Sequence, residues 1–193
     1  MNTTKETTDV MTPMHELAPE ASHWWGFAAM PDELEYPFNG EDNPLTLVCQ
    51  FQHEEGMVYV FADLDYFFGD YDVDGGHIGE WDKRFFRVLY SPTRKDLHIH
   101  EICTENGESA VPEAEPLEAP ASRGEESHVL QPATCWTEEL EQEYPGYQVL
   151  VQLDENDGLD QRFYDCGTLF FLIKPADLKA KRFNKVKCVL YSY

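Results

Sequence analysis

Gln148-Val149-Leu150-Val151-Gln152-Leu153-Asp154, then Gly167-Thr168-Leu169-Phe170-Phe171-Leu172-Ile173, then Asp177-Leu178, is the stretch whose reading decides the fold. Both apolar runs have the length and the β-branched, aromatic composition of strands, and a glycine opens the second. The same pattern stands earlier in the chain as Leu47-Val48-Cys49-Gln50, then Gly56-Met57-Val58-Tyr59-Val60-Phe61, then Asp63-Leu64. Two related β-rich halves in one body are the simplest source of such a repeat. Residues 57–61 and 168–173 are apolar nearly throughout, so both faces of each strand should be covered. By contrast, Asp96-Leu97-His98-Ile99-His100-Glu101-Ile102 alternates, which predicts one buried and one wet face.

Working outward, strands are expected over 45–52, 57–63, 84–90, 97–103, 147–153, 168–173 and 186–192. Helices are few and short. Thr137 can cap one that runs to about Tyr144, with Glu138 and Glu139 at its positive end and Pro145-Gly146 stopping it. Trp136, Leu140 and Tyr144 would line its packed side. Pro175 begins a second, with Lys179, Lys181 and Arg182 in its last turn. The fold class is α+β, a single domain dominated by antiparallel β-sheet, with two pseudo-repeated halves. Residues 1–12 are polar and read as a disordered tail, leaving 13–193 as the domain. Residues 104–127, rich in Glu, Pro and Ala, cannot bury enough surface to order themselves and read as a mobile acidic loop.

The chain has 193 residues and a formal charge of −23, unevenly spread. Residues 174–193 hold six cations against one acid, so the other 173 carry eight cations against 36 acids, or −28. Such a field repels phosphate backbones and anionic membranes, so no nucleic-acid or membrane partner is expected. Basic proteins and cations are its natural partners, although solubility alone also explains it. Aromatic content of 13% argues against a wholly disordered chain. The cysteines Cys49, Cys103, Cys135, Cys166 and Cys188 are odd in number and form no Cys-x-x-Cys pair, which reads as reduced thiols of a cytoplasmic protein. The N-terminus lacks the apolar core of a signal peptide, and Leu169–Ile173 is too short to span a bilayer.

The repeated segments also carry a resemblance. Gln148–Asp154, Asp165–Ile173 and Asp177-Leu178, with Pro44–Gln50, Gly56–Phe61 and the strand Phe86-Arg87-Val88-Leu89-Tyr90, resemble the YwqG-like family of bacterial proteins. The match covers roughly residues 22–190 without the acidic loop. Where the family tends to have a Trp-or-Phe-Gly-Gly turn, this chain has Trp25-Gly26-Phe27, and no Gly-Gly-x-Pro element precedes Gln131. The resemblance implies a compact β-rich cytosolic fold of no established role. Some relatives sit in toxin–immunity neighbourhoods, which implies a protein-binding role, and no catalytic residues carry over.

Asp70-Tyr71-Asp72-Val73-Asp74-Gly75-Gly76 is the sharpest local motif. Asp70, Asp72 and Asp74 have the spacing of a calcium loop, with a glycine for the tight turn. Its twelfth position is Trp81 rather than an acid, and no helices flank it, so it is not an EF-hand. The readings left are an acidic turn, which is preferred, and a non-EF calcium loop. The turn Asp154-Glu155-Asn156-Asp157-Gly158 offers further carboxylates. His98 and His100 share a strand face and would ligate a metal given a third residue, although solvent-facing histidines are the commoner case. Cys135, Cys166 and the acid pair Asp63 and Asp65 give no specific nucleophile or acid–base signal, and the usual catalytic motifs are missing. Trp24, Trp25, Phe27, Tyr36 and Phe38 read as core packing, or else as a binding patch rimmed by Asp32, Glu33 and Glu35.

The sequence therefore points to a non-catalytic cytosolic binding protein with no cofactor, an immunity or regulatory factor whose acidic surface meets a basic protein. The alternatives are an enzyme or small-ligand protein with a pocket between the halves, and a calcium-stabilised module. Calorimetry decides the last: heat of binding and a raised melting temperature at about 1 mM calcium support it, and neither should appear if Asp70–Asp74 is only a turn.

Overall fold

The computed structural model describes residues 17–63, 78–102, 115–116, 122–123, 127–132, 137–154 and 167–192. Among them, two antiparallel sheets account for most of the order. In spatial order the first is β6 (Phe86–Ser91), β4 (Gly56–Ala62), β3 (Thr46–His53), β1 (His23–Trp24) and β8 (Glu115–Pro116). The second is β5 (Gly79–Glu80), β13 (Lys187–Ser192), β12 (Gly167–Ile173), β11 (Gln148–Asp154), β10 (Ser127–Val129) and β9 (Ser122–Arg123). A separate ribbon pairs β2 (Ala28–Met30) with β7 (His98–His100). Two helices, α1 (Glu138–Glu143) and α2 (Pro175–Lys179), form as the sequence predicts, and the Thr137 hydroxyl accepts from Leu140 N. Lys181 and Arg182 fall beyond the end of α2.

The repeat is real and extends further than the apolar runs. Each half is a meander, β3–β4–β6 or β11–β12–β13, with a short strand added on the first member. β1 sets His23 opposite Gln50 and Trp24 opposite Cys49; β10 sets His128 opposite Gln152 and Val129 opposite Val151. Both first strands break register at the same point, between Leu47 and Cys49 and between Val149 and Val151. The residue after each added strand turns left-handed, Trp25 at φ 55° and Leu130 at φ 53°. Each still donates its N–H, to Val48 O at 3.0 Å and to Leu150 O at 2.9 Å. Ser22 Oγ accepts from Gln52 N, and Ser127 Oγ from Asp154 N. Ser-His stands at 22–23 and 127–128, and that dipeptide was the available sequence signal for β1 and β10.

One apparent repeat is false. Val88-Leu89-Tyr90-Ser91 and Val189-Leu190-Tyr191-Ser192 are identical, yet Val88 faces the core between the sheets while Val189 faces α1. Tyr59, opposite Leu89, corresponds to Phe170, opposite Val189. The second copy is thus slipped by one residue, and with a side-chain period of two the slip swaps faces.

The expectation that β4 and β12 are covered on both faces holds: every residue in both is buried. Between the sheets, Trp24, Trp25, Val58, Val60 and Phe86 meet Leu150, Leu153, Leu169, Phe171 and Leu190, with Phe86 edge-on to Phe171 at 6.2 Å. The outer face of β4 is closed by Ala28, Met30, Leu45, Leu34 and Tyr36, and that of β12 by Leu140 of α1 and Tyr144 at its C-terminal cap. Burying each Leu or Met among these stabilises by about 1.5–3 kcal/mol. The alternation read in 97–102 is corrected, since Ile99 is 39% exposed while Nε2 of His100 is buried. β7 belongs to a two-stranded ribbon and not to a full sheet, so Ile99 has no second layer to bury it. Within the segment expected to be a loop, Glu115–Pro116 pairs with β1 and Ser122–Arg123 with β10.

Glycines separate steric from conformational need. A Cβ on Gly56 would lie 2.1 Å from Ser91 O, while one on Gly146 (φ 72°) would meet nothing within 4 Å. Gly56→Ala is expected to cost about 3 kcal/mol by forcing β4 from β6, and Gly146→Ala about 1 kcal/mol of left-handed strain. Urea denaturation of both variants checks the order, which reverses if the Gly56 contact is not rigid.

Candidate interaction surface

Residues 31–45 cross the outer face of the first sheet and carry the most distinctive exposed chemistry. Tyr36 anchors the segment: its ring stands edge-on to Phe61 at 5.2 Å, and its hydroxyl donates to Leu45 O at 2.7 Å. Burial pushes the Tyr36 phenol up, so it stays a neutral donor. Leu45 N donates to Pro37 O at 3.0 Å, and Phe38 pairs with Pro44 in a single antiparallel bridge. Asn39 closes the tip, its Oδ1 accepting from Glu41 N and Asn43 N while its Nδ2 donates to Asp63 Oδ2 at 2.7 Å. Asp42 takes the left-handed conformation that this tight turn requires, at φ 62°.

The backbone on both sides of Phe38 is therefore fixed, and the ring is presented 47% exposed, edge-on to Tyr36. Asp32, Glu33, Glu35, Glu41 and Asp42 are exposed on the same segment. Among the described residues no Lys or Arg pairs with these carboxylates, and Asp32 meets only His98, at 3.7 Å. Cations elsewhere are engaged. Lys181 pairs with Glu54 at 2.8 Å, Arg182 with Asp177 at 2.7 Å, and Lys187 with Glu80. Lys83 donates to Val186 O, and Lys174 lies over the Tyr147 ring. Lys181 and Lys187 thus tie the C-terminal segment to acids of the body, while the carboxylates around Phe38 form no ion pair with a Lys or Arg of the described residues. An exposed ring beside exposed carboxylates suits a Lys or Arg side chain, whose stem takes the ring and whose charge takes the rim.

The sequence-predicted residues are dispersed. Asp70, Asp72 and Asp74 lie outside the described residues, as do Asp65, Cys135, Trp136 and Cys166. Asp154 is buried and accepts from the Thr168 hydroxyl at 2.7 Å, which ties β11 to β12. Asp63 joins the Asn39 turn. His98 is exposed and His100 lies 6.0 Å from Tyr36; no three metal-ligating side chains converge among the described residues. Trp24 and Trp25 belong to the core, so of the aromatic cluster Phe38 is the ring most open to a partner. Cys49 and Cys188 are buried free thiols pushed up by burial, which disfavours the nucleophilic thiolate. Where sequence reasoning put an alternative pocket, between the halves, the described residues place the main hydrophobic core.

Two cross-strand rows, each opened by a buried His-Gln pair, went unread in the sequence. Across the outer face of the first sheet run His23, Gln50, Tyr59 and Leu89; across the second run His128, Gln152, Phe170 and Val189. Gln50 works as a staple: Oε1 accepts from Ala29 N, while Nε2 donates to Pro19 O and Ala21 O, each at 2.9 Å. His23 Nδ1 donates to Trp25 O at 2.7 Å. Only the fold makes these rows, since β1 and β10 are too short to show a hydrophobic period, and the repeated Ser-His dipeptide is their one mark in the sequence.

The family described as a domain of unknown function (DUF1963) matches residues 115–191. Similarity to it covers the second half. No curated protein matches the chain.

Burial holds the His23 pKa below its usual value, and burial with nearby Lys181 does the same for His53 against the pull of Glu54. Below about pH 6.5 the unfolded chain therefore binds more protons than the folded one. Their stabilisation is complete above that pH and falls away as pH drops towards the folded values. His23→Asn is expected to lose less melting temperature between pH 7.5 and 5.5 than the wild type. Equal losses in scanning calorimetry would show that His23 does not carry the effect.

Proposed function

We propose that this chain is a non-catalytic YwqG-like protein of the cytoplasm, an immunity or regulatory factor whose acidic surface recognises a basic protein. The observation that carries this reading is the exposed Phe38 ring on a pinned turn, among exposed carboxylates that form no ion pair with a Lys or Arg of the described residues. Net charge of −23 supports it through steering, which speeds the approach of a basic partner and weakens steeply with salt. The hydrophobic core packed between the halves supports recognition at the surface over chemistry in an inter-sheet pocket.

The test is capture from a lysate of the native host on immobilised protein, comparing wild type with Phe38→Ala and with Glu35→Lys/Asp42→Lys. A basic protein should be retained at about 50 mM salt, released at about 500 mM, and lost with both variants. Retention indifferent to salt and to the variants, or no retained protein at low salt, removes the proposal.

A further inference from the structure

Strand β6 (Phe86–Ser91) ends the first sheet among the described residues, with β4 on one side only. Asp63 N donates to Phe85 O at 2.8 Å, and that bond fixes the alternation beyond it. Arg87 and Leu89 turn their backbone groups towards β4, so Phe86, Val88 and Tyr90 turn theirs away from it. Phe86 O accepts from Arg87 Nη1 at 2.8 Å, and the other outward N–H and C=O groups bond to no described residue. The 3₁₀ turn Phe183–Lys185 packs beside the strand through side chains, with Phe183 stacked on Tyr90 at 5.2 Å.

Cations collect at the Phe86 end of this edge. Lys83 donates to Val186 O and lies over the Phe86 ring at 4.5 Å, and Lys185 directly precedes Val186. Arg87 reaches the same end through Phe86 O. The nearby acids are engaged, Glu80 by Lys187 and Asp82 by Arg84 at 3.4 Å. Lys83, Arg87 and Lys185 form no ion pair among the described residues, in a chain whose net charge is −23. Desolvation lowers the Lys83 pKa, with Arg87 and Lys185 adding to the effect and Cys188 and Glu80 opposing it. Like charges so placed repel one another, and an incoming carboxylate relieves that repulsion.

We propose that the free edge of β6 takes up an extended acidic segment of a partner protein as an added strand. Main-chain bonds to Val88 and Tyr90 hold the segment, and its carboxylates lie on Lys83, Arg87 and Lys185. Charge decides the occupant. Cations along an edge repel a like edge, which excludes a second copy of β6 and admits a strand that brings acids. This site uses a strand edge and cations, whereas the Phe38 surface uses a ring and carboxylates, so each stands without the other.

The probe is the capped peptide Glu-Asp-Thr-Val-Thr-Val, titrated into the ¹⁵N-labelled full chain at about 50 mM salt. Amide shifts are expected at Phe86, Val88 and Tyr90, with Kd below about 1 mM. Lys185→Glu, at an exposed side chain, should weaken binding at least about fivefold. Two further peptides, N-methylated on opposite alternate sets of residues, keep every charge; the one whose methyls face β6 should bind at least about tenfold more weakly than the other. Equal affinity of those two peptides would show attraction by charge alone and overturn the added strand. No shifts in β6 at about 2 mM peptide, or unchanged affinity in Lys185→Glu, overturns the proposal as well.

Discussion

Strands Gly56–Ala62 and Gly167–Ile173 touch no water on either face, and the rest of the molecule answers that constraint. Each needs a cover on two sides. The inner cover is mutual, sheet against sheet, with Trp24, Trp25, Phe86 and Phe171 filling the gap. The outer covers differ, because the links between added strand and meander differ: a ribbon and the Tyr36 segment in one half, helix Glu138–Glu143 in the other. Apolar burial is indifferent to which element provides it, so the halves keep one sheet plan while diverging outside it.

Polar groups fix the placement that apolar contact leaves free. A buried amide must be satisfied, and Gln50 does this by gripping three backbone groups from two separate segments. The Asn39 turn works similarly, spending its side chain on two backbone N–H groups and on Asp63. Through such pins a surface segment becomes rigid, and a rigid segment presents a ring and its charges without an ordering cost on binding. At the Phe38 turn, recognition is a property of the cover, and the sheet serves to hold it.

The sequence by itself determined the long strands, the two helices and the doubling, because hydrophobic period, Thr137 and Pro175 act over a few residues. It also determined the sign of the surface field. It misread Ile99, whose alternation is that of a half-buried strand, because a two-residue period cannot tell a sheet from a lone ribbon. The identical Val-Leu-Tyr-Ser copies mislead similarly, since register is set by pairing with the neighbouring strand and not by the tetrapeptide. Only the tertiary structure decided that Trp25 is core and Phe38 is surface, and that Lys83, Arg87 and Lys185 meet at one strand edge. Those outcomes depend on which distant segment lies over each residue, and contacts between residues far apart in sequence leave no local periodicity to read.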